Sequence, residues 1–97
     1  MTTRALVLIG LVAIGAACKT RPTGVAACDQ HLSARRACAK QLGGELGDAQ
    51  AREADRLERQ WLDAAAKDIK DWKQKYAPKW CRAATEDART AFPECSW

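Results

Sequence analysis

One histidine, one tyrosine, one phenylalanine, one methionine and three prolines stand among 97 residues. Each scarcity removes a class of protein. A lone His31 leaves a zinc site short of imidazole ligands, and no closely spaced Cys-x-x-Cys pair exists to supply thiolates or a redox centre. There is no Gly-rich phosphate loop, no Gly-x-Ser-x-Gly and no paired-carboxylate motif. The common signatures of nucleotide binding, of a hydrolase elbow and of carboxylate acid–base work are therefore missing. β-branched residues are scarce after residue 25 while alanine is abundant, which argues for helix and against sheet. No apolar run reaches the ~20 residues that a membrane-spanning helix needs.

The longest apolar run that is present is Ala5 to Ala17, between Arg4 and Lys19. A short positive start, an apolar stretch and then small residues form the pattern of a secretory signal. The run ends in Gly15-Ala16-Ala17-Cys18. Small residues directly before a cysteine resemble the lipobox of bacterial lipoproteins, although Gly15 stands where that family usually has leucine. The resemblance covers residues 1–19. It implies that Cys18 is lipidated on its sulfur and becomes the first residue of the mature chain. It also implies outer-membrane sorting, because Lys19 rather than aspartate follows the cysteine. Val25-Ala26-Ala27 before Cys28 fits the lipobox letters too, but Lys19, Arg21 and Pro22 separate it from the apolar run. An ordinary secreted or periplasmic protein, cut after Ala17 or Ala27, is the alternative.

On this reading residues 1–17 are a signal peptide and residues 18–24 a tether containing Pro22 and Gly24. Residues 25–97 form one small helical domain. The mature charge is +3, since Arg4 leaves with the signal and fifteen basic residues remain against twelve acidic ones. The two signs are interleaved, which describes a solvated helical surface and not a nucleic-acid stripe. Export likewise argues against a nucleic-acid partner. So small a domain buries a limited core and calls for staples. Five cysteines are available: Cys18, Cys28, Cys38, Cys81 and Cys95. Lipid on Cys18 accounts for the odd count, and the other four suffice for two disulfides in an oxidising envelope.

Residues 25–42 place Cys28, Leu32, Arg35, Cys38 and Leu42 on one helical face, with Thr23 as a candidate N-cap and Gly43-Gly44 as the stop. Asp48 is a candidate cap for a long helix 48–77, which Gly47 should not favour. Leu57, Trp61, Ala65, Ile69, Trp72, Tyr76 and Trp80 recur every three or four residues as a continuous stripe. Asp63–Lys67, Asp71–Lys75 and Glu86 with Arg82 or Arg89 are spaced for surface ion pairs. Pro78 is expected to kink or restart the chain before a last helix at 79–91, which Pro93 stops.

Four cysteines allow three connectivities. Cys28 and Cys38 are ten residues apart on one helix, roughly 15 Å, too far to bridge. An antiparallel first and last helix gives nested pairs, Cys38–Cys81 and Cys28–Cys95, whose midpoints both fall near residue 60. That scheme needs the central helix to break near residues 58–64, where Arg59-Gln60-Trp61-Leu62 shows no turn signal. Otherwise only Cys28–Cys95 forms. The nested arrangement resembles the helical hairpins of the twin Cys-x9-Cys family in architecture. Cys28 and Cys38 have that spacing; Cys81 and Cys95 do not.

The expected fold is thus all-α, a disulfide-stapled helical hairpin or bundle. No catalytic group, metal or cofactor is assigned. His31 reads as a partly exposed helix residue. A Cys28–His31 nucleophile pair lacks an orienting group and a cause for a low thiol pKa. Trp61, Trp72, Tyr76 and Trp80, with Trp97 in the tail, admit two readings: core packing, or an aromatic face for an envelope protein partner. The functional expectation is a lipid-anchored binding module of accessory, exclusion or inhibitor/immunity type, facing the periplasm or the surface. The competing expectation is a membrane-active lysis or toxin-like protein that uses segment 48–80 as one amphipathic helix. Acidic residues from Glu53 to Asp71 interleaved along that segment speak against it.

Overall fold

The computed structural model describes residues 22–97. The expected signal peptide 1–17, Cys18 and the start of the tether lie outside the described residues. Helix α1 is Ala26–Leu42, and Val25, not Thr23, occupies its N-cap position without a side-chain cap. Thr23 is buried one step further out. Its backbone N–H and its hydroxyl donate to Asp29 Oδ1 at 2.8 and 2.9 Å, and Val25 N–H donates to Thr23 Oγ1 at 3.1 Å. The negative charge of Asp29 also suits the positive end of the helix. The last residues of the tether are therefore held on the domain. The sulfur of Cys28 lies inside α1 and is taken by a disulfide.

Gly43 ends α1 with φ 66°, its N–H bonded to the Ala39 carbonyl at 3.0 Å. Helix α2, Gly44–Lys67, starts at once, four residues before the expected cap Asp48. Gly47 is part of it for a packing reason. A Cβ at this position would lie 2.4 Å from the Ala39 carbonyl oxygen, so glycine lets α2 close onto α1.

The second correction concerns the helix expected at 48–77. It stops at Asp68, not near residue 60, and does so without glycine or proline. Asp68 takes the left-handed conformation with φ 41° and ψ 39°, and its N–H closes the helix on the Ala64 carbonyl at 2.8 Å. Aspartate tolerates that region better than most residues. Lys70 and Asp71 follow with φ 56° and 60°. The chain then passes through a 3-10 turn, Ile69–Asp71, and a π turn, Trp72–Tyr76. Asp68 Oδ1 accepts the Lys73 N–H at 2.9 Å and braces this connection. Helix α3 is Ala77–Ala91, two residues longer than expected, because Pro78 sits in the first turn where its missing N–H is no loss.

Two reversals make the order up, down, up. Helices α1 and α3 therefore run parallel, and this overturns the expected pairs Cys28–Cys95 and Cys38–Cys81. Antiparallel neighbours share a midpoint; parallel neighbours share an offset. The disulfides are Cys28–Cys81 and Cys38–Cys95, at sequence separations of 53 and 57, with Cα–Cα distances of 4.9 and 5.3 Å. The second offset is larger because α3 ends at Ala91 and the tail turns back to deliver Cys95.

The core is small. Val25, Cys28, Leu32, Leu57, Trp61, Ala77 and Cys81 form it, with Ala27, Trp72 and Ala84 packed against its edge. α3 contributes alanines and a cystine, while α2 supplies the bulk. Across the α1–α2 seam Arg36 bonds Asp55 at 3.0 Å and also Glu58. The exposed pairs Asp63–Lys67, Asp71–Lys75 and Glu86–Arg89 form as spaced.

Non-reducing peptide mapping is expected to recover Cys28–Cys81 and Cys38–Cys95. Replacing Cys28 and Cys81 together by alanine should cost about 2–4 kcal/mol in urea unfolding, as expected for a loop of this length; recovery of Cys38–Cys81 would refute the parallel arrangement. Helix propensity and structure give opposite signs at two further sites. Gly47→Ala should lower the melting temperature despite alanine's better propensity. Lys70→Gly should raise it by several degrees, about 1 kcal/mol, by relieving a left-handed lysine.

Candidate functional site

The four aromatic residues expected along one stripe, and Trp97 in the tail, occupy three places. Trp61, from α2, is in the core at 8% exposure, and Trp72 is half-buried at its edge. Trp97 is half-buried over α1. Only Tyr76 and Trp80 face solvent, at 38% and 57% exposure. The stripe breaks because α2 breaks, so segment 48–80 is not one amphipathic helix. Beyond the break Cys81 decides the register. It must face Cys28, and Ala77, Ala84 and Ala88 turn inward with it. Trp80 is one residue, ~100° of rotation, away from that direction.

Tyr76 and Trp80 touch, with ring centroids 5.6 Å apart and planes tilted by 41°. They stand at the end of the bundle where α1 begins, α2 ends and α3 begins. Ile69, at 63% exposure, belongs to the same connection. Lys67 is paired with Asp63 at 3.1 Å and Lys75 with Asp71 at 4.0 Å. Lys70, Lys73 and Lys79 form no salt bridge among the described residues. The incoming chain passes close by: a Cβ on Gly24 would meet Lys73 Cδ at 3.9 Å. This end thus combines exposed aromatics with those three lysines.

A second constellation centres on His31, which is 1% exposed and not the partly exposed residue expected. Arg35 Nε–H donates to His31 Nε2 at 3.1 Å. Arginine is always a donor, so Nε2 is the acceptor and Nδ1 carries the proton. Nδ1–H then donates to Thr85 Oγ1 at 2.8 Å, and the Thr85 hydroxyl donates to the Cys81 carbonyl at 3.1 Å. The chain of bonds ties α1 to α3 one turn past the first disulfide. Trp61 meets the imidazole edge-on at 5.6 Å, and Trp97 stacks on it at 5.7 Å with planes 26° apart. Trp97 is placed by its indole N–H on the Phe92 carbonyl at 3.0 Å, and the Arg35 guanidinium lies 5.8 Å from the centre of its ring. Arg35 also bonds Gln50 on α2.

The chemistry of this cluster is structural. Burial, and then the Arg35 cation, lower the His31 pKa to about 4, against a small opposing pull from Glu53. With its Nδ1 proton donated to Thr85, the imidazole is oriented away from accepting the Thr85 proton. A shallow groove of about 270 Å³ lies over the cluster, rimmed by Gln30, Arg82, Glu86, Arg89 and Trp97. A larger open groove, about 570 Å³, follows the outer side of α1 from Pro22 to Lys40. Among the described residues no cluster of His, Cys, Asp and Glu has metal-ligand geometry, and no helix is long and apolar enough to cross a membrane.

One signal for the His31 cluster was present in the sequence. His31 lies three residues after Cys28 and four before Arg35, so it shares their inward face. Trp97 carried no such signal; only the Cys38–Cys95 bridge brings the tail there. Comparison with protein-family models, with curated proteins and with solved structures finds no match.

The lowered His31 pKa makes stability depend on pH. The unfolded chain binds the imidazole proton near pH 6.5 and the folded one only near pH 4. The contribution is therefore complete above pH 6.5 and is lost as pH falls towards 4. In urea titrations the stability advantage of the wild type over His31→Gln should shrink by about 2 kcal/mol between pH 7 and 4.5. A pH-independent difference would contradict the buried, neutral imidazole.

Proposed function

We propose that this chain is a small exported envelope protein, anchored by lipid on Cys18, whose work is binding and not catalysis. The observation that carries the reading is the cysteine arithmetic. All four cysteines after residue 18 pair with one another, so a total of five leaves Cys18 over. Buried cystines suit an oxidising compartment, and the lipobox-like Gly15-Ala16-Ala17-Cys18 supplies both the export route and the use for the fifth sulfur. Lys19 favours the outer membrane, with the domain facing the periplasm or the surface.

Binding is supported by the way the chain spends its polar chemistry. Its one histidine is buried, neutral and committed to Thr85 and Arg35. Its exposed aromatic pair, in contrast, is held rigidly at one end of a stapled bundle. Large rigid aromatics cost little conformational entropy when they bind and are common at interaction hot spots. The aromatic pair serves one contact, and an accessory, exclusion or inhibitor/immunity protein would meet its partner through the rest of the bundle, close to the membrane.

Intact mass of the mature protein tests the anchor. The expected species begins at Cys18 and is heavier than its polypeptide by the attached lipid. Cys18→Ser should abolish the gain and release the protein from membranes. An unlipidated chain that begins elsewhere would sink the anchor.

A further inference from the structure

The end of the bundle that carries the aromatic pair is also the end to which the anchor is joined. Four large apolar residues are exposed among the described residues, and three of them, Ile69, Tyr76 and Trp80, lie between α2 and the first turn of α3. The stretch 67–80 holds five lysines and two aspartates. Asp71 pairs with Lys75, and Asp68 accepts the Lys73 N–H but keeps its charge. The stretch still carries an excess of positive charge, with Lys70, Lys73 and Lys79 in no salt bridge among the described residues. Thr23 is pinned to Asp29, which fixes where the tether leaves the domain. From Cys18 to Pro22 four peptide steps span at most about 14 Å. A lipid on Cys18 therefore holds Pro22 within that distance of the headgroups, and Gly24, two residues on, lies beside Lys73 of this end.

We infer that this end, with Tyr76 and Trp80 at its centre and Lys70, Lys73 and Lys79 around them, lies on the anionic headgroup layer of the membrane that carries the Cys18 lipid. The inference takes its reach from the proposed anchor and its chemistry from the patch. Tryptophan and tyrosine favour the headgroup region, where the ring is half-desolvated and the polar atom stays wet. Lysines extend flexible apolar stems and set their ammonium groups among phosphates. A protein partner at the same place would need to fit between the domain and a bilayer that the tether keeps one short span away. Docking at this end leaves the far end, with the Cys38–Cys95 bridge and the exposed Leu46, directed away from the membrane.

The test uses the lipidated mature protein in vesicles of phosphatidylethanolamine and phosphatidylglycerol whose acyl chains are brominated near the headgroup. Part of the tryptophan emission should be quenched, and Trp80→Phe should remove more than half of that quenching while the lipid keeps the protein on the vesicle. Lipidated protein with unquenched Trp80 overturns the inference, and so does a discrete polypeptide adduct from a photo-crosslinker at position 80 in cells in place of quenching. A second arm separates this outcome from failure of the anchor. The Cys18→Ser chain, which retains every described residue, should partition onto the same anionic vesicles and much less onto phosphatidylcholine. Exchanging Lys70, Lys73 and Lys79 for glutamine should weaken that partition on the order of a hundredfold, about fivefold for each lysine. Equal partition onto neutral vesicles would count against the headgroup contact even if Cys18 proves to be lipidated.

Discussion

The covalent contact between Cys28 and Cys81 is the constraint on which the rest of the molecule depends. It brings the Cα atoms of α1 and α3 to 4.9 Å and fixes the side of α3 that faces α1. On that side α3 turns the small residues Ala77, Ala84 and Ala88 towards the bundle. The volume missing from α3 is made up by α2, whose Leu57 and Trp61 close the core from the third side. A domain of this size buries too little apolar surface for easy stability by packing alone. The bridges compensate by restricting the unfolded chain across loops of 53 and 57 residues. His31 extends the same seam by hydrogen bonds: its partner Thr85 lies one turn beyond Cys81, and Thr85 returns its own proton to the Cys81 carbonyl.

How far the fold could be read from residue types alone depended on which physical rule governed each place. The helices were legible because helix-favouring composition and three-to-four spacing agree over long stretches, and Gly43 marked the first turn plainly. The break after Lys67 was not legible. Asp68-Ile69-Lys70-Asp71 contains neither glycine nor proline, yet three of the four residues adopt positive φ. Nothing in local propensity asks for this. The tertiary demand that Cys81 return to Cys28 imposes it, and a connection nine residues long, Asp68 to Tyr76, is what α2 and α3 leave available. The apolar stripe misled for the same reason. Ile69, Tyr76 and Trp80 continue the periodicity of Leu57 and Trp61 in sequence, but the break and the π turn at Trp72–Tyr76 rotate them out of the core.

The disulfide pairing shows how one topological premise propagates. A midpoint argument was sound for two antiparallel helices and silent about a third. The midpoint scheme takes the break near residue 60 as the one reversal, whereas the chain reverses twice, at Gly43 and after Lys67. The parity of reversals decides whether cysteines pair by constant sum or by constant offset. The candidate site suffered less, because Tyr76 and Trp80 were named from residue type and only their surroundings were unknown. His31 reads as a partly exposed helix residue and is instead 1% exposed, although its spacing from Cys28 and Arg35 already put it on the inward face.

Trp80 and Cys81 are consecutive, and this adjacency joins the bridge to the exposed aromatic patch. The residue that locks α3 onto α1 also sets the direction of its neighbour, so Trp80 points outward because Cys81 points inward. On the other side of the bridge Cys28 is five residues from Thr23, whose bonds to Asp29 fix the path of the incoming chain. The exposed aromatic pair lies inside the loop closed by the bridge, and Thr23 is tied to the first turn of α1 by hydrogen bonds, with Lys73 lying beside Gly24. A flexible loop carrying the same residues would lose conformational entropy each time it bound. Here the bridge at Cys81 and the Asp68 brace on Lys73 already restrict the segment that carries the patch, which lessens that loss for a headgroup contact.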